Sequence, residues 1–219
     1  EVALIVLGFF AFTSQGITGG VMSMVNHALS AGALFFCVGM IWERCGTLKF
    51  TELGGLQKSM PYLAAIVLLV LMSVVGLPGL NGFVGDFLVL AGTFITHRWW
   101  AVVAVSTIVF SVIYMLWAYQ RVFHGPLRAA VAADAGPVTG KVGGRDISWR
   151  EIWAIAPLLA GIVFLGVFPK PFLDRVTPSV ANVLAHVQHV DPSFHIPSQG
   201  LGRAYAVPPN QNVNTGGRP

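Results

Sequence analysis

The feature that most constrains this chain is the length of its stretches without Asp, Glu, Lys or Arg: Val2 to Trp42, Ser59 to Gly85, Trp99 to Gln120 and Ile152 to Pro169. Crossing a bilayer core takes about 20 apolar residues rising about 1.5 Å each, and most of these runs supply them. No water at that depth can satisfy a backbone amide, so each run must close its hydrogen bonds within itself as a helix. An all-α, polytopic transmembrane helix bundle is therefore predicted. Charged residues are only 10% of the chain, against about a quarter in soluble domains, which argues against a water-soluble globular class. The net charge of +4 is modest and comes without a basic run interleaved with aromatics, so the expected partner is the lipid bilayer and not nucleic acid. Cys37 and Cys45 suggest neither a disulfide frame nor a metal set.

Along the chain, Glu1 to Thr13 is apolar but too short to span, as a truncated helix would be, and Ser14 to Gly16 reads as a turn. Neither an initiator Met nor a basic segment precedes the first apolar run, so Glu1 opens no signal peptide and the chain reads as the C-terminal part of a longer membrane protein. A helix follows over about Gly19 to Trp42, then an extramembrane loop from Glu43 to Met60. Pro61 suits the first turn of a helix running to about Gly76, and the next helix runs from about Leu80 to Thr96. Between them, Pro78 and the glycines Gly76, Gly79, Gly82 and Gly85 break one long apolar run, so a broken helix is expected. Spans over about Ala101 to Phe123 and Trp153 to Val167 flank an Ala- and Gly-rich linker at 125–150, and Asp146-Ile147-Ser148 reads as the N-cap signal of the second. Phe168 to Pro171 ends that span.

Val176, Val180, Val183, Leu184, Val187 and Val190 recur at helical spacing away from Asn182, His186 and His189, so Thr177 to Val190 reads as an amphipathic surface helix, with an unstructured tail after Asp191. The domain reading is a bundle over 1–171 followed by surface helix and tail over 172–219. Arg121, Arg128, Lys141, Arg145 and Arg150 lie in or beside the linker, which the positive-inside rule puts in the cytoplasm with the C-terminal tail outside.

Asp86 is the first candidate for chemistry. A charged side chain at mid-bilayer costs roughly 2.5 to 3.5 kcal/mol on insertion scales, and broken helices at that depth build ion sites. It can serve as a proton-loading acid, or it can cap the second half-helix. Ser23, Asn26, His27 and Ser30 follow the spacing i, i+3, i+4, i+7 and share a helix face that should point at other helices or a hydrated path. His27 can relay protons there or hydrogen-bond to a neighbouring helix in its neutral form. Thr107, Ser111 and Tyr114 form a second stripe, which can order water or bond back to its own helix. His186 and His189 can touch a metal, but a solvated face explains them as well. No nucleophile with a base, no haem or iron–sulfur spacing and no dinucleotide fingerprint is present, so no electron carrier is expected in this chain.

Four runs carry a resemblance: GGVMSMVNHALSAGALFFCVGMIWER (19–44), GGLQKSMPYLAAI (54–66), LPGLNGFVGDFLVLAGTF (77–94) and APLLAGIVFLGVFPKP (156–171). In order and spacing they resemble the antiporter-like subunit M family of proton-pumping NADH:quinone oxidoreductase, respiratory complex I. The resemblance implies the back half of a fourteen-helix subunit in an inner membrane, with a surface helix linking neighbouring pump subunits. It implies proton translocation driven by electron transfer from NADH to quinone, with NADH, FMN, iron–sulfur clusters and quinone held by partner subunits and no cofactor here. Asp86 falls on the family's ionisable position in the broken helix, as Asp where Glu is usual, whereas sibling subunits and cation/proton antiporters carry Lys. His27 matches the family's histidine on the hydrophilic axis, and Ser23, Asn26, Ser30, Thr107, Ser111 and Tyr114 would support the path. The alternatives are a multisubunit cation/proton antiporter subunit and a non-pumping scaffold.

Overall fold

A computed structural model describes residues 1–125 and 146–190. These residues form eight helices: α1 (Val2–Phe10), α2 (Ser14–Cys45), α3 (Leu56–Ser59), α4 (Pro61–Val75), α5 (Asn81–Thr96), α6 (Arg98–Phe123), α7 (Trp149–Val167) and α8 (Lys170–Val190). The fold is all-α. The axis is α2, whose 32 residues extend about 48 Å at 1.5 Å per residue. Helices α2, α6 and α7 are each long and apolar enough to cross a membrane. Neither α4, with 15 residues, nor α5, with 16, reaches that length alone, but the two lie end to end along α2, antiparallel to it, and match it together.

Two different packing chemistries hold the halves of this broken helix against α2. Over the N-terminal half of α2, Gly16, Gly19, Ser23 and Asn26 recur every three or four residues and meet Gly92, Val89, Gly85 and Asn81 of α5 in reverse order. Small residues at that spacing let two backbones approach closely, the usual basis of helix association in lipid. A Cβ on Gly19 would lie 2.7 Å from the Val89 amide nitrogen, so no other residue fits there. Over the C-terminal half, Ala33, Cys37, Met40 and Ile41 of α2 pack with Leu63, Ala64, Val67 and Val70 of α4 in the main apolar core. Tyr119, Val122 and Phe123 of α6 complete it, and the Tyr119 hydroxyl donates to the Ala64 carbonyl at 3.2 Å.

The helix ends explain where sequence and structure differ. The first turn lies at 11–13 and not at Ser14 to Gly16, because the Thr13 hydroxyl accepts from the Gly16 amide at 3.0 Å and starts α2 at Ser14. Helix α2 runs on through Cys45, closing at Gly46 with φ of 67°, so Glu43 and Arg44 belong to its last turn and the short α3 interrupts the loop. Helix α7 begins at Trp149 after its N-cap Ser148, whose amide donates to Glu151 at 2.7 Å. Asp146, read as part of that same signal, instead accepts from the amides of Tyr62 at 2.7 Å and Leu63 at 3.1 Å, and so caps α4 from another part of the chain. Arg44 makes a bidentate pair with Glu151 at 2.9 and 2.6 Å, joining the ends of α2 and α7.

Helix α8 starts at Lys170, seven residues before the expected Thr177, since Pro171 falls in the first turn where a proline costs no hydrogen bond. It packs on α2 and buries Leu173, Val180, Ala181 and Leu184, while Val183 and Val190, expected on the same apolar face, are exposed. Most of the 125–150 linker, with Arg128, Lys141 and Arg145, and the tail after 190 lie outside the described residues.

Candidate functional site

The site lies where the break between α4 and α5 meets the middle of α2. Helix α4 ends at Gly76 in the left-handed region, with φ of 82°, and Gly79 takes a φ of 96°. Helix α5 then restarts at Asn81. The two ends overlap sideways by about a turn, which requires glycine at Gly82: a Cβ there would strike the Ser73 carbonyl oxygen. From the far side the end of α7 closes over the break, with Gly166 against Gly79 and Leu80.

Asp86 lies in the second turn of α5. Helix α5 has no acidic residue in its first turn and no side-chain cap, so the capping reading of Asp86 does not hold. The Ser23 hydroxyl donates to Asp86 Oδ1 at 3.5 Å, and Oδ2 lies beside Gly76, where a Cβ would stand 3.4 Å away. No Lys, Arg or His nitrogen comes within 4.0 Å of the Asp86 carboxylate among the described residues. The Glu1 carboxylate is among the charges close enough to act on it electrostatically. The same Glu1 carboxylate contacts His27 Nδ1. Glu1 is brought to both Asp86 and His27 by the packing of α1 on α2, a placement that leaves no local signal in the sequence.

Of the stripe on α2, Ser23, Asn26 and Ser30 are buried against α5 and α4. His27 departs from it: its side chain is 40% exposed and turns to Glu1, one residue around the helix from Asn26. The Asn26 amide donates to the Asn81 carbonyl at 2.6 Å, and the Asn81 amide donates back to the Asn26 carbonyl at 3.4 Å. Asn81 and Ser73, both fully buried, were missed because neither asparagine at a helix start nor serine in an apolar run stands out from one sequence. The second stripe is not brought to Asp86. Thr107 and Tyr114 face outward on α6 and Ser111 is half-buried, while the Thr107 hydroxyl bonds back to the Val103 carbonyl at 3.2 Å. Its i−4 bond is the self-satisfied arrangement that hydroxyls in membrane helices commonly adopt. No cluster of three or more metal-ligating side chains occurs among the described residues, and His186 and His189 are exposed on α8.

Residues 1–111 match the family described as NADH:quinone oxidoreductase/Mrp antiporter, TM. The chain belongs to the NADH:quinone oxidoreductase/Mrp antiporter family. Within it, the chain is 38% identical over 210 residues to NADH-quinone oxidoreductase subunit M of Mycobacterium tuberculosis (strain CDC 1551 / Oshkosh), covering 93% of this chain and 36% of that protein. It is 38% identical over 187 residues to subunit M of Rhodobacter capsulatus, covering 85% and 35% respectively. Among solved structures, respiratory complex I from Thermus thermophilus with bound NADH contains a similar chain, at a TM-score of 0.70 and 32% identity, covering 84% of this chain and 36% of that one. The chain thus spans about a third of the length of these family members.

Proposed function

We propose that this chain is part of a proton-translocating membrane subunit of an NADH:quinone oxidoreductase, with Asp86 as its proton-loading acid. The observation that carries this is a carboxylate held at a helix break, touched by one serine hydroxyl and by no cation among the described residues. A lone acid in a low-dielectric site changes its proton occupancy when a nearby charge shifts by a few ångströms. Glu1 and His27 supply such a neighbourhood: a proton arriving at the Glu1–His27 pair removes a negative charge next to Asp86 and favours release from it, and its departure favours reloading. Ser23, able to donate or accept, is the hydroxyl through which Asp86 meets water. The work would come from quinone reduction in partner subunits, which would hold the NADH, flavin, iron–sulfur and quinone sites. Neighbouring antiporter-like subunits in an inner membrane are the expected contacts, with the tail after 190 on the outer face.

The relatives named subunit M favour this reading over a cation antiporter, although the family's description covers both. The test is Asp86→Asn in the assembled complex, reconstituted in vesicles. Protons pumped per NADH should fall, and Asp86→Glu should restore most of the loss. A wild-type ratio for Asp86→Asn would remove Asp86 from the path, and sodium-dependent proton efflux without NADH or quinone would point to the antiporter.

A further inference from the structure

Beside Asp86, three side chains from three helices form a closed circuit. Asn81 of α5 donates through Nδ2 to Ser30 Oγ of α2 at 3.4 Å. Ser30 Oγ and Ser73 Oγ of α4 are 2.7 Å apart, and the Ser73 hydroxyl donates to Asn81 Oδ1. The direction of the circuit is fixed. The Asn26 carbonyl, which can only accept, requires Asn81 to present its amide nitrogen there. Oδ1 must then face Ser73, which spends its one proton on it, and Ser30 must donate to Ser73. Asn81 thereby commits both N–H donors and its amide oxygen, and its main-chain carbonyl accepts from Asn26.

A proton relay needs a group that can take a proton on one side and release one on the other. No member of this ring has a proton left to give outward. Beyond it, toward the C-terminal end of α2, the described residues of the seam are the apolar Ala33, Cys37, Leu63, Val67 and Val70. On the other side, one turn away, are Ser23 and Asp86, and Asn26 keeps a buried Oδ1 without a hydrogen-bond partner. The polar interior is therefore asymmetric about Asn81.

We infer that Asn81 is a positioning residue that, by closing the ring with Ser30 and Ser73 and clasping Asn26, locks the helix break on α2 and seals the α2–α4 seam, so that Asp86 exchanges its proton only on the Ser23 side. This inference rests on the proposed role of Asp86. It also takes Ser30 out of the conducting path and makes it part of a barrier.

The experiment measures passive proton leak in vesicles holding the complete complex, without NADH, together with protons pumped per NADH. Asn81→Ala should raise the leak roughly tenfold, the bias that a buried hydrogen-bonded group of this kind gives a closed state, and should lower the pumping ratio. Asn81→Asp, the same shape without the amide donors, should leak like the alanine variant. Adding Asp86→Asn to Asn81→Ala should abolish the extra leak, which a general loss of packing would not do. Ser30→Ala changes little volume and reads the ring where Asn81→Ala does not assemble; it should leak too, by a smaller factor. Gradient retention equal to the unaltered complex in Asn81→Ala, or in Ser30→Ala if that is the variant that assembles, overturns the inference, as does a leak that persists after Asp86→Asn is added. Asp86→Asn alone, run in parallel, separates the two claims: if it pumps normally the functional reading fails, and if it pumps poorly while the ring variants hold the gradient only the role of Asn81 fails.

Discussion

The two halves of α2 answer opposite demands with the same helix. Its N-terminal half meets α5 through glycines, a serine and an asparagine, at backbone distance and with hydrogen bonds. Beyond the Ser30–Ser73 bond, its C-terminal half meets α4 through apolar side chains in the main core. In lipid there is no hydrophobic drive to pull helices together, so the first half relies on close contact and polar pairing. Polar groups at that depth must stay paired or beside water, and that is also where an acid can be held and used. Among the described residues, the apolar seam of the second half holds no carboxylate or histidine and serves as a rigid post on which the first is mounted. Function and fold stability should accordingly separate along one helix.

Glycine substitution gives the largest contrast. Gly19→Leu would drive a side chain into the Val89 and Leu88 backbone, so α2 and α5 must part and the subunit should be missing from assembled complex on native gels. At Gly39, in the other half, an added Cβ has nothing within 4 Å, so Gly39→Leu should assemble normally in this region; equal assembly of the two variants would erase the contrast. Next in size is Leu63→Ala in the fully buried α2–α4 seam. It should cost about 2 to 5 kcal/mol through lost burial and a cavity, read as a lower melting temperature, while protons per NADH stay unchanged. A changed ratio at wild-type stability would mean that the post also conducts. The smallest effect is expected at the membrane edge: Asp146→Ala removes the cap from the Tyr62 and Leu63 amides and should cost about 1 kcal/mol, without changing the pumping ratio.

How much of this was legible depended on whether a residue's meaning is local. The broken helix could be read because Pro78 and the glycines act on their own backbone, and Asp86 because a charge among apolar neighbours is conspicuous wherever the chain folds. The α2 stripe was readable as a face, but periodicity tells only which residues lie together, not which face turns inward. Ser23, Asn26 and Ser30 turned inward; Thr107 and Tyr114, read by the same rule on α6, turned outward. His27 was grouped with its neighbours by spacing and separated from them by about 100° of helix. Asn81, Ser73 and Glu1 acquire their roles only through residues far along the chain. Asp146 was read as a cap correctly in kind and wrongly in address, since nothing local says which helix a carboxylate will serve.

That address has a bearing on timing. The Tyr62 amide depends on a carboxylate 84 residues downstream. During synthesis, α4 is made first and its leading amides have no such acceptor until the residues just before α7 exist. The first half of the broken helix is therefore finished by a segment that emerges after α6, and a ribosome that stops before residue 146 leaves α4 packed on α2 with two leading amides still uncapped.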